Sequence, residues 1–309
     1  MGNKTAIHFS GQGAQAVGMG KDLYDASAAA KQLYDFADGI SAGVKDVCFK
    51  GEAEQLKRTE YAQPCLFLTG LAFANELKSS GIKTAAVAGF SLGEIPALAF
   101  SGVLSVEDAY RLVIERSRKM AELSEAHSGG MVAALKLDAA TVESLCAELA
   151  EVWAVNYNCP GQISCSGAPE QLDKLCERIK ENGGRAVKLQ VSGAFHTPYM
   201  ADAAQTLRSV LSRMHISAPT VPLYSNLTGG KYGSDKTQII ENIANQVCSP
   251  VRWQDIIQTM HADGVDTFIE VGAGSTLTGF VKRTLPDVKT FTVTDVASLN
   301  ATVSALCEE

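Results

Sequence analysis

Thr84-Ala85-Ala86-Val87-Ala88-Gly89-Phe90-Ser91-Leu92-Gly93 is the stretch on which the fold turns. Thr84 to Ala88 is an apolar run of strand length, and a helix-like run follows Gly93. Between them, Gly89-Phe90-Ser91-Leu92-Gly93 fits Gly-x-Ser-x-Gly, the turn by which a buried strand delivers a nucleophilic serine to the start of a helix. Glycine at both ends leaves the space that so tight a reversal demands. Ser91 is left exposed at a helix N-terminus, where developing negative charge is favoured. Taken alone, the pentapeptide is also what an ordinary Gly-rich turn looks like.

Working outward, three more short apolar runs (Ala6 to Phe9, Thr267 to Val271, Thr290 to Val293) alternate with longer helical patterns. Two of these, from about Gln63 to Leu77 and from about Val106 to Leu123, read as amphipathic cover for a sheet. The alternation predicts an α/β fold with a mostly parallel sheet. Residues 130–191 follow another rhythm: strand (Met131 to Leu137), helix (Ala140 to Ala150), strand (Val152 to Asn156), strand (Gln162 to Ser166), helix (Pro169 to Asn182), strand (Arg185 to Val191). That βαββαβ order predicts a ferredoxin-like module. Small flexible stretches, His127-Ser128-Gly129-Gly130 and Ser192-Gly193-Ala194, flank it as hinges. The expected organisation is a large domain of residues 1–128 and 193–309 and a small inserted domain of residues 129–192. The groove between them is the natural ligand site.

Composition narrows the function. With 309 residues, 46% of them hydrophobic and 20% charged, the chain can bury a real core. A net charge of -7 argues against a nucleic-acid polyanion as partner, since phosphate binding rests on clustered Lys and Arg. Eight cysteines show no Cys-x-x-Cys pair and no metal-ligand spacing with His, so no metal site is expected. They read as small buried hydrophobes in a reducing compartment. Met1-Gly2-Asn3-Lys4-Thr5-Ala6 lacks the apolar stretch of a signal peptide and the Ser or Thr of a myristoylation site, and Cys307 is wrongly placed for prenylation. No apolar run reaches the roughly 20 residues of a membrane span. The expected compartment is the cytoplasm, with no membrane association.

A nucleophilic serine needs a base, and the chain has five histidines: His8, His127, His196, His215 and His261. His196 is best placed, in Gly193-Ala194-Phe195-His196-Thr197-Pro198, where the module hands the chain back. His261 falls in a helical pattern and His215 just before an expected strand, positions of surface or core packing. His8 could line the site or pack within its strand. The first strand runs into Gly11-Gln12-Gly13-Ala14-Gln15, a loop that leaves backbone N–H groups free to approach a ligand. Phosphate binding is the alternative, but the Walker lysine and the third glycine of a dinucleotide fingerprint are missing.

Gly11-Gln12-Gly13-Ala14-Gln15, Gly89-Phe90-Ser91-Leu92-Gly93-Glu94, Asn156-Tyr157-Asn158-Cys159-Pro160-Gly161-Gln162, Gly193-Ala194-Phe195-His196 and Glu270-Val271-Gly272-Ala273-Gly274 stand in the order seen in malonyl-CoA:acyl carrier protein transacylases. Across nearly its whole length the chain resembles that family. The resemblance implies an α/β-hydrolase-like large domain with a ferredoxin-like insertion, and gives Ser91 as nucleophile and His196 as general base. It also implies an oxyanion hole from the backbone N–H groups of Gln12 and Leu92. Arg116 corresponds to the arginine that grips the malonyl carboxylate, with Arg118 as competitor; taken alone, either is a solvated residue on a charged helix face. Gln63 and Asn156 correspond to polar pocket residues, whose plainer reading is helix and strand-end capping. The backbone carbonyl of Arg252 is expected to orient His196.

Phe195 resembles the malonyl-selective pattern, a bulky ring leaving less room for an α-methyl group. Two departures stand out: Phe90 where His is commoner, and Pro96 inside the helix that should present Ser91, where it can strain or kink it.

These expectations amount to malonyl transfer from malonyl-CoA to the phosphopantetheine thiol of an acyl carrier protein, for fatty acid synthesis. CoA is the product, no cofactor is needed, and the protein is a monomer. A free-standing acyltransferase of a polyketide pathway shares every motif. An α/β-hydrolase-type thioesterase would need a triad acid such as Asp108, Asp138 or Asp173. A non-catalytic carrier-binding subunit would be free to lose Ser91 or His196. An acidic carrier needs a basic patch, for which Lys174, Arg178, Lys180, Arg185 and Lys188 are candidates.

Overall fold

The computed structural model describes residues 4–191 and 193–307. Met1, Gly2 and Asn3 of the leader reading, and Ser192 of the second hinge, lie outside the described residues. Eight strands carry the fold: β1 (Thr5–Phe9), β2 (Thr84–Gly89), β3 (Gly130–Leu135), β4 (Val152–Cys159), β5 (Gln162–Gly167), β6 (Arg185–Lys188), β7 (Thr267–Val271) and β8 (Lys289–Val293).

They form two sheets. One is parallel, in the order β2-β1-β7-β8; the other is antiparallel, in the order β4-β5-β3-β6. In the parallel sheet Phe9 stands opposite both Gly89 and Val271. The three glycine-rich loops that follow β1, β2 and β7 therefore leave the sheet side by side at its carboxyl edge, where open α/β sheets bind ligands. Past β2 the sheet is extended by a bridge in which Val87 and Leu223 pair in parallel, Val87 N–H donating to Pro222 and Tyr224 N–H to Val87.

The helices Thr59–Ser79 and Val106–Ala126 were both expected as amphipathic cover. The second fits, burying Tyr110, Leu112, Val113 and Met120 on one side. The first does not: Ala62 to Ala74 is buried without a break. Its sequence, Pro64-Cys65-Leu66-Phe67-Leu68-Thr69-Gly70-Leu71-Ala72-Phe73-Ala74, has no polar face, which is the pattern of a helix enclosed on all sides. Gly70 lets it come down onto β1, where an added Cβ would stand 3.1 Å from the Phe9 ring.

Two further expectations change. His215 precedes irregular chain rather than a strand, because the pairing with β2 begins only at Leu223. Five cysteines are buried, but Cys176 and Cys248 are half-buried and Cys307 is exposed; all eight are free thiols.

The antiparallel sheet is stitched to the rest through β4, whose Asn156 bridges Val251. Val251 N–H donates to Val155 across 2.7 Å and Tyr157 N–H to Val251 across 2.9 Å. Where the chain crosses between the sheets, Gly129 lies so close to Ala194 that an added Cβ would meet the alanine's at 2.6 Å.

Candidate active site

The turn after β2 is as tight as the glycine spacing demands. An added Cβ on Gly89 would lie 1.9 Å from the Gly93 carbonyl carbon, and one on Gly93 would lie 2.2 Å from the Phe9 carbonyl oxygen. Ser91 itself adopts φ +50°, a left-handed conformation that costs a non-glycine residue about 1 kcal/mol or more. Asn226 holds it there: Ser91 N–H donates to Asn226 Oδ1 and Asn226 Nδ2 donates to the Gly89 carbonyl, both at 2.7 Å. The bridge of Leu223 to β2 brings Asn226 into reach. Pro96 does no harm, because the helix Glu94–Phe100 makes it the third residue, and N–H groups of a first turn have no intrahelical partner.

His196 Nε2 lies 2.7 Å from Ser91 Oγ. Its Nδ1 faces two backbone carbonyls, Gln246 at 2.9 Å and Ser249 at 3.1 Å, which fixes the proton on Nδ1 and leaves Nε2 as acceptor. This corrects the expectation for Arg252. Arg252 caps the helix Trp253–Ala262, and its carbonyl accepts the first helical bond, from Ile256 N–H at 3.0 Å. Among the described residues no carboxylate reaches the imidazole: Asp138 caps the helix Ala139–Ala147, Asp173 pairs with Lys188, and Asp108 lies in the first turn of Val106–Ala126. The triad of a thioesterase is therefore not built here. Burial, with the charge of Arg116 second, pushes His196 down to about 4, so the ring is neutral at pH 7.

Arg116 has no exposed surface, whereas Arg118 is exposed and paired with Glu115 at 2.7 Å. The Arg116 guanidinium donates through Nη1 to Gln63 Oε1 (2.7 Å) and through Nη2 to Ser91 Oγ (3.1 Å) and Gln246 Oε1 (3.0 Å). All three partners are neutral, and Nε has none among the described residues. A fully buried cation held only by neutral groups is a site for an anion. Burial lowers it to about 10, still charged at neutral pH, and Glu94 opposes that shift.

Gln63 also donates to Gln12 Oε1 at 3.1 Å, and Gln12 in turn to Thr59 at 3.1 Å, so the first glycine loop is tied to the arginine. Among the described residues Gln12 N–H makes no backbone hydrogen bond. Leu92, second residue of the one-turn helix Ser91–Gly93, has its N–H where no intrahelical acceptor exists. Gly11 allows the two loops to touch: a Cβ there would meet the Phe90 carbonyl oxygen at 2.7 Å.

A cavity of about 420 Å³ opens over Ser91. Gln12, Phe90, Phe195 and His196 line one side, and Asn156 and Asn158 of β4 line the other. Among the described residues the Oδ1 atoms of both asparagines are buried without a partner. Phe90 packs edge-on against Trp253 at 5.6 Å and near Phe280 at 6.3 Å, making that wall aromatic. Glu270 of the last motif accepts from Leu277 N–H (3.2 Å) and Thr278 N–H (2.7 Å), holding the first turn of the helix Thr276–Thr284 against the cavity.

His8 is packed, not part of the cavity: it is 1% exposed, between Trp253 and Phe268. Of the basic candidates, Arg178 pairs with Glu148 and Lys188 with Asp173, which neutralises two of the five. Asn226, Gln246, Ser249 and Glu94 had no assigned role in the sequence reading. Glu94 lay in a quoted motif and Ser249 in the stretch around Arg252 expected to orient His196; Asn226 and Gln246 are brought in by pairings between distant segments.

A serine presented at a strained strand-to-helix turn, held by a neutral histidine and facing a buried arginine, defines a serine acyltransferase. The acyl transferase domain family matches residues 8–302. The chain is 40% identical to the malonyl CoA-acyl carrier protein transacylase of Bacillus subtilis, over 99% of this chain and 98% of that one. It superposes on the crystal structure of the Clostridium perfringens malonyl CoA-acyl carrier protein transacylase with TM-score 0.93 at 38% identity, covering 99% and 98% of the two chains. A malonyl-transacylase solved in complex with its type II PKS acyl-carrier protein gives TM-score 0.94 at 30% identity, with 98% and 100% covered. The chain belongs to the malonyl CoA-acyl carrier protein transacylase family.

Proposed function

We propose that the protein transfers a malonyl group from malonyl-CoA to the phosphopantetheine thiol of an acyl carrier protein through an ester on Ser91. The observation that carries this reading is the buried Arg116 guanidinium, bonded to neutral groups alone and 3.1 Å from the nucleophile, where the free carboxylate of a malonyl group would sit. His196 takes the Ser91 proton as the oxygen attacks the thioester carbonyl, and passes it to the departing CoA sulfur. The carbonyls of Gln246 and Ser249 stabilise the imidazolium formed meanwhile. Gln12 and Leu92 N–H groups receive the developing oxyanion, each worth about 10²- to 10³-fold in rate. In the second half-reaction His196 deprotonates the carrier thiol, whose sulfur attacks the ester carbonyl, and returns that proton to Ser91 Oγ as the ester bond breaks. Each step is assigned to a group of this chain, with no cofactor invoked.

We read residues 1–128 and 193–309 as an α/β-hydrolase-like domain and 129–192 as a ferredoxin-like one. The β4-β5-β3-β6 order supports the second, being that of a split βαββαβ unit. Among the described residues no helix is long and apolar enough to cross a membrane, which accords with action in the cytoplasm on a protein carrier.

Intact-protein mass spectrometry after brief incubation with malonyl-CoA tests the reading. The expected result is one malonyl adduct, absent from Ser91→Ala, weak with acetyl-CoA, and discharged by a holo acyl carrier protein. Rapid CoA release without an adduct would show hydrolysis instead.

A further inference from the structure

Glu94 is a carboxylate only 1% exposed, and the ester chemistry above does not use it. It opens the helix directly behind the serine turn. Its Oε1 accepts from the Tyr232 hydroxyl; its Oε2 accepts from Asn226 N–H at 3.2 Å and from Gln246 Nε2 at 2.9 Å. The same Gln246 Nε2 also donates to the Ser91 carbonyl, at 2.6 Å. Both amide hydrogens are thereby committed, and the amide oxygen is left facing Arg116 Nη2 at 3.0 Å.

An amide has nearly the same shape from either side, so its partners decide which way it points. Turned over, Gln246 would set its oxygen against two acceptors, the Ser91 carbonyl and Glu94, and its hydrogens against a guanidinium donor. Three hydrogen bonds would be lost in a buried setting, one of them to a carboxylate and one to a cation. The Ser91 carbonyl alone holds the amide by one bond. Burial raises Glu94 to about 7, against the hydrogen bonds it accepts, so above that pH it supplies a charged acceptor that makes the orientation unambiguous. Its charge also raises Arg116, against the larger lowering by burial.

We propose that Glu94 is a positioning residue for acyl selectivity: by orienting the Gln246 amide it aims the Arg116 guanidinium at the acyl site, so that acyl groups bearing a carboxylate are preferred to neutral ones. This inference rests on the assignment of Arg116 as carboxylate grip, and the test separates the two.

The experiment measures the initial rate of Ser91 acylation by malonyl-CoA and by acetyl-CoA, using rapid quench and intact mass, with folding checked by circular dichroism. At pH 8, where Glu94 is ionised, losing one hydrogen bond to a charged group is worth about tenfold or more, so Glu94→Ala should cut malonylation by that factor. Acetylation should fall too, because Glu94 also holds Asn226 behind the serine turn, but by clearly less than malonylation, so the malonyl-to-acetyl ratio drops. Glu94→Gln keeps an oxygen for Gln246 and restores the malonyl-to-acetyl ratio. Gln246→Leu reproduces the loss, and adding Glu94→Ala to it deepens nothing. If Glu94→Ala does not fold, the Gln246→Leu ratio decides. Equal falls in both rates without rescue, or an unchanged ratio in Glu94→Ala and Gln246→Leu, overturns the proposal. Arg116→Met serves as control. If it keeps the malonyl preference, the carboxylate grip itself is wrong; if it loses the preference while the other two variants keep it, only the role of Glu94 is.

Discussion

Arg116 Nη2 and Ser91 Oγ share a hydrogen bond of 3.1 Å, so the cation and the nucleophile are bound to each other before any acyl group arrives. On the proposed function a malonyl carboxylate would take over that donor and free the serine oxygen to attack, and a neutral acyl group would not. Arg116→Met is expected to cut kcat/KM for malonyl-CoA by about 10²- to 10³-fold, the usual cost of removing one partner of a buried charge pair. Acetyl-CoA should lose far less. Steady-state CoA release with both donors measures it.

His196 titrates low because it is buried and faces Arg116. The base must be neutral, so the rate of Ser91 acylation should be flat through neutral pH and fall only as pH drops through about 4. Removing the arginine's charge raises the histidine, moving that acidic limb upward in Arg116→Met. Rapid-quench acylation by acetyl-CoA after pH jumps reads the limb without needing the carboxylate grip. A limb near 6.5 in the wild type would mean the ring is solvated.

Gly93→Ala should abolish the presentation of Ser91. The new Cβ would stand 2.2 Å from the Phe9 carbonyl oxygen, backbone against backbone, so β1 or the turn must move. The expected outcome is loss of acylation with a Tm several degrees lower, a shift that corresponds to about 1–3 kcal/mol in a chain this size. Thermal unfolding and intact mass check both.

His8→Phe should make the fold more tolerant of acid. Burial pushes His8 down to about 3, and its Nε2 has no partner among the described residues. The unfolded chain takes up a proton near pH 6.5 that the folded chain refuses, so stability is lost as pH falls below that value, by about 1.4 kcal/mol per pH unit. Phenylalanine between Trp253 and Phe268 removes that slope. Urea unfolding of wild type and variant at pH 5 and pH 7 should show a gain at pH 5 larger than any at pH 7.

The parallel sheet was legible because its strands are short apolar runs, three of the four followed by a glycine loop, and Thr267–Val271 falls where the sequence put it. Ser91 and His196 were legible because the chemistry demands those two residue types in special turns; His196, too, is left-handed at φ +63°. Arg116 could not be told from Arg118 by pattern, since both lie on one charged stretch and only packing against Gln63 and Gln246 buries the first. The carbonyl that orients His196 was misassigned for a related reason. Backbone acceptors carry no side-chain signature, and nothing in Ser249-Pro250-Val251-Arg252 says that Arg252 starts a helix while Ser249 does not. Asn226 was silent because a lone asparagine in a loop resembles any turn residue until Leu223 pairs with β2.

The bridge between Asn156 and Val251 ties one edge of the antiparallel sheet to the segment that carries both carbonyls on His196. Anyone recombining this scaffold with a relative would be tempted to cut at the two glycine crossings and swap what lies between. The unit that must travel together is larger. It includes residues 246–251, more than fifty positions downstream, because a foreign edge strand that sits slightly differently would tug on the strap and misalign the base.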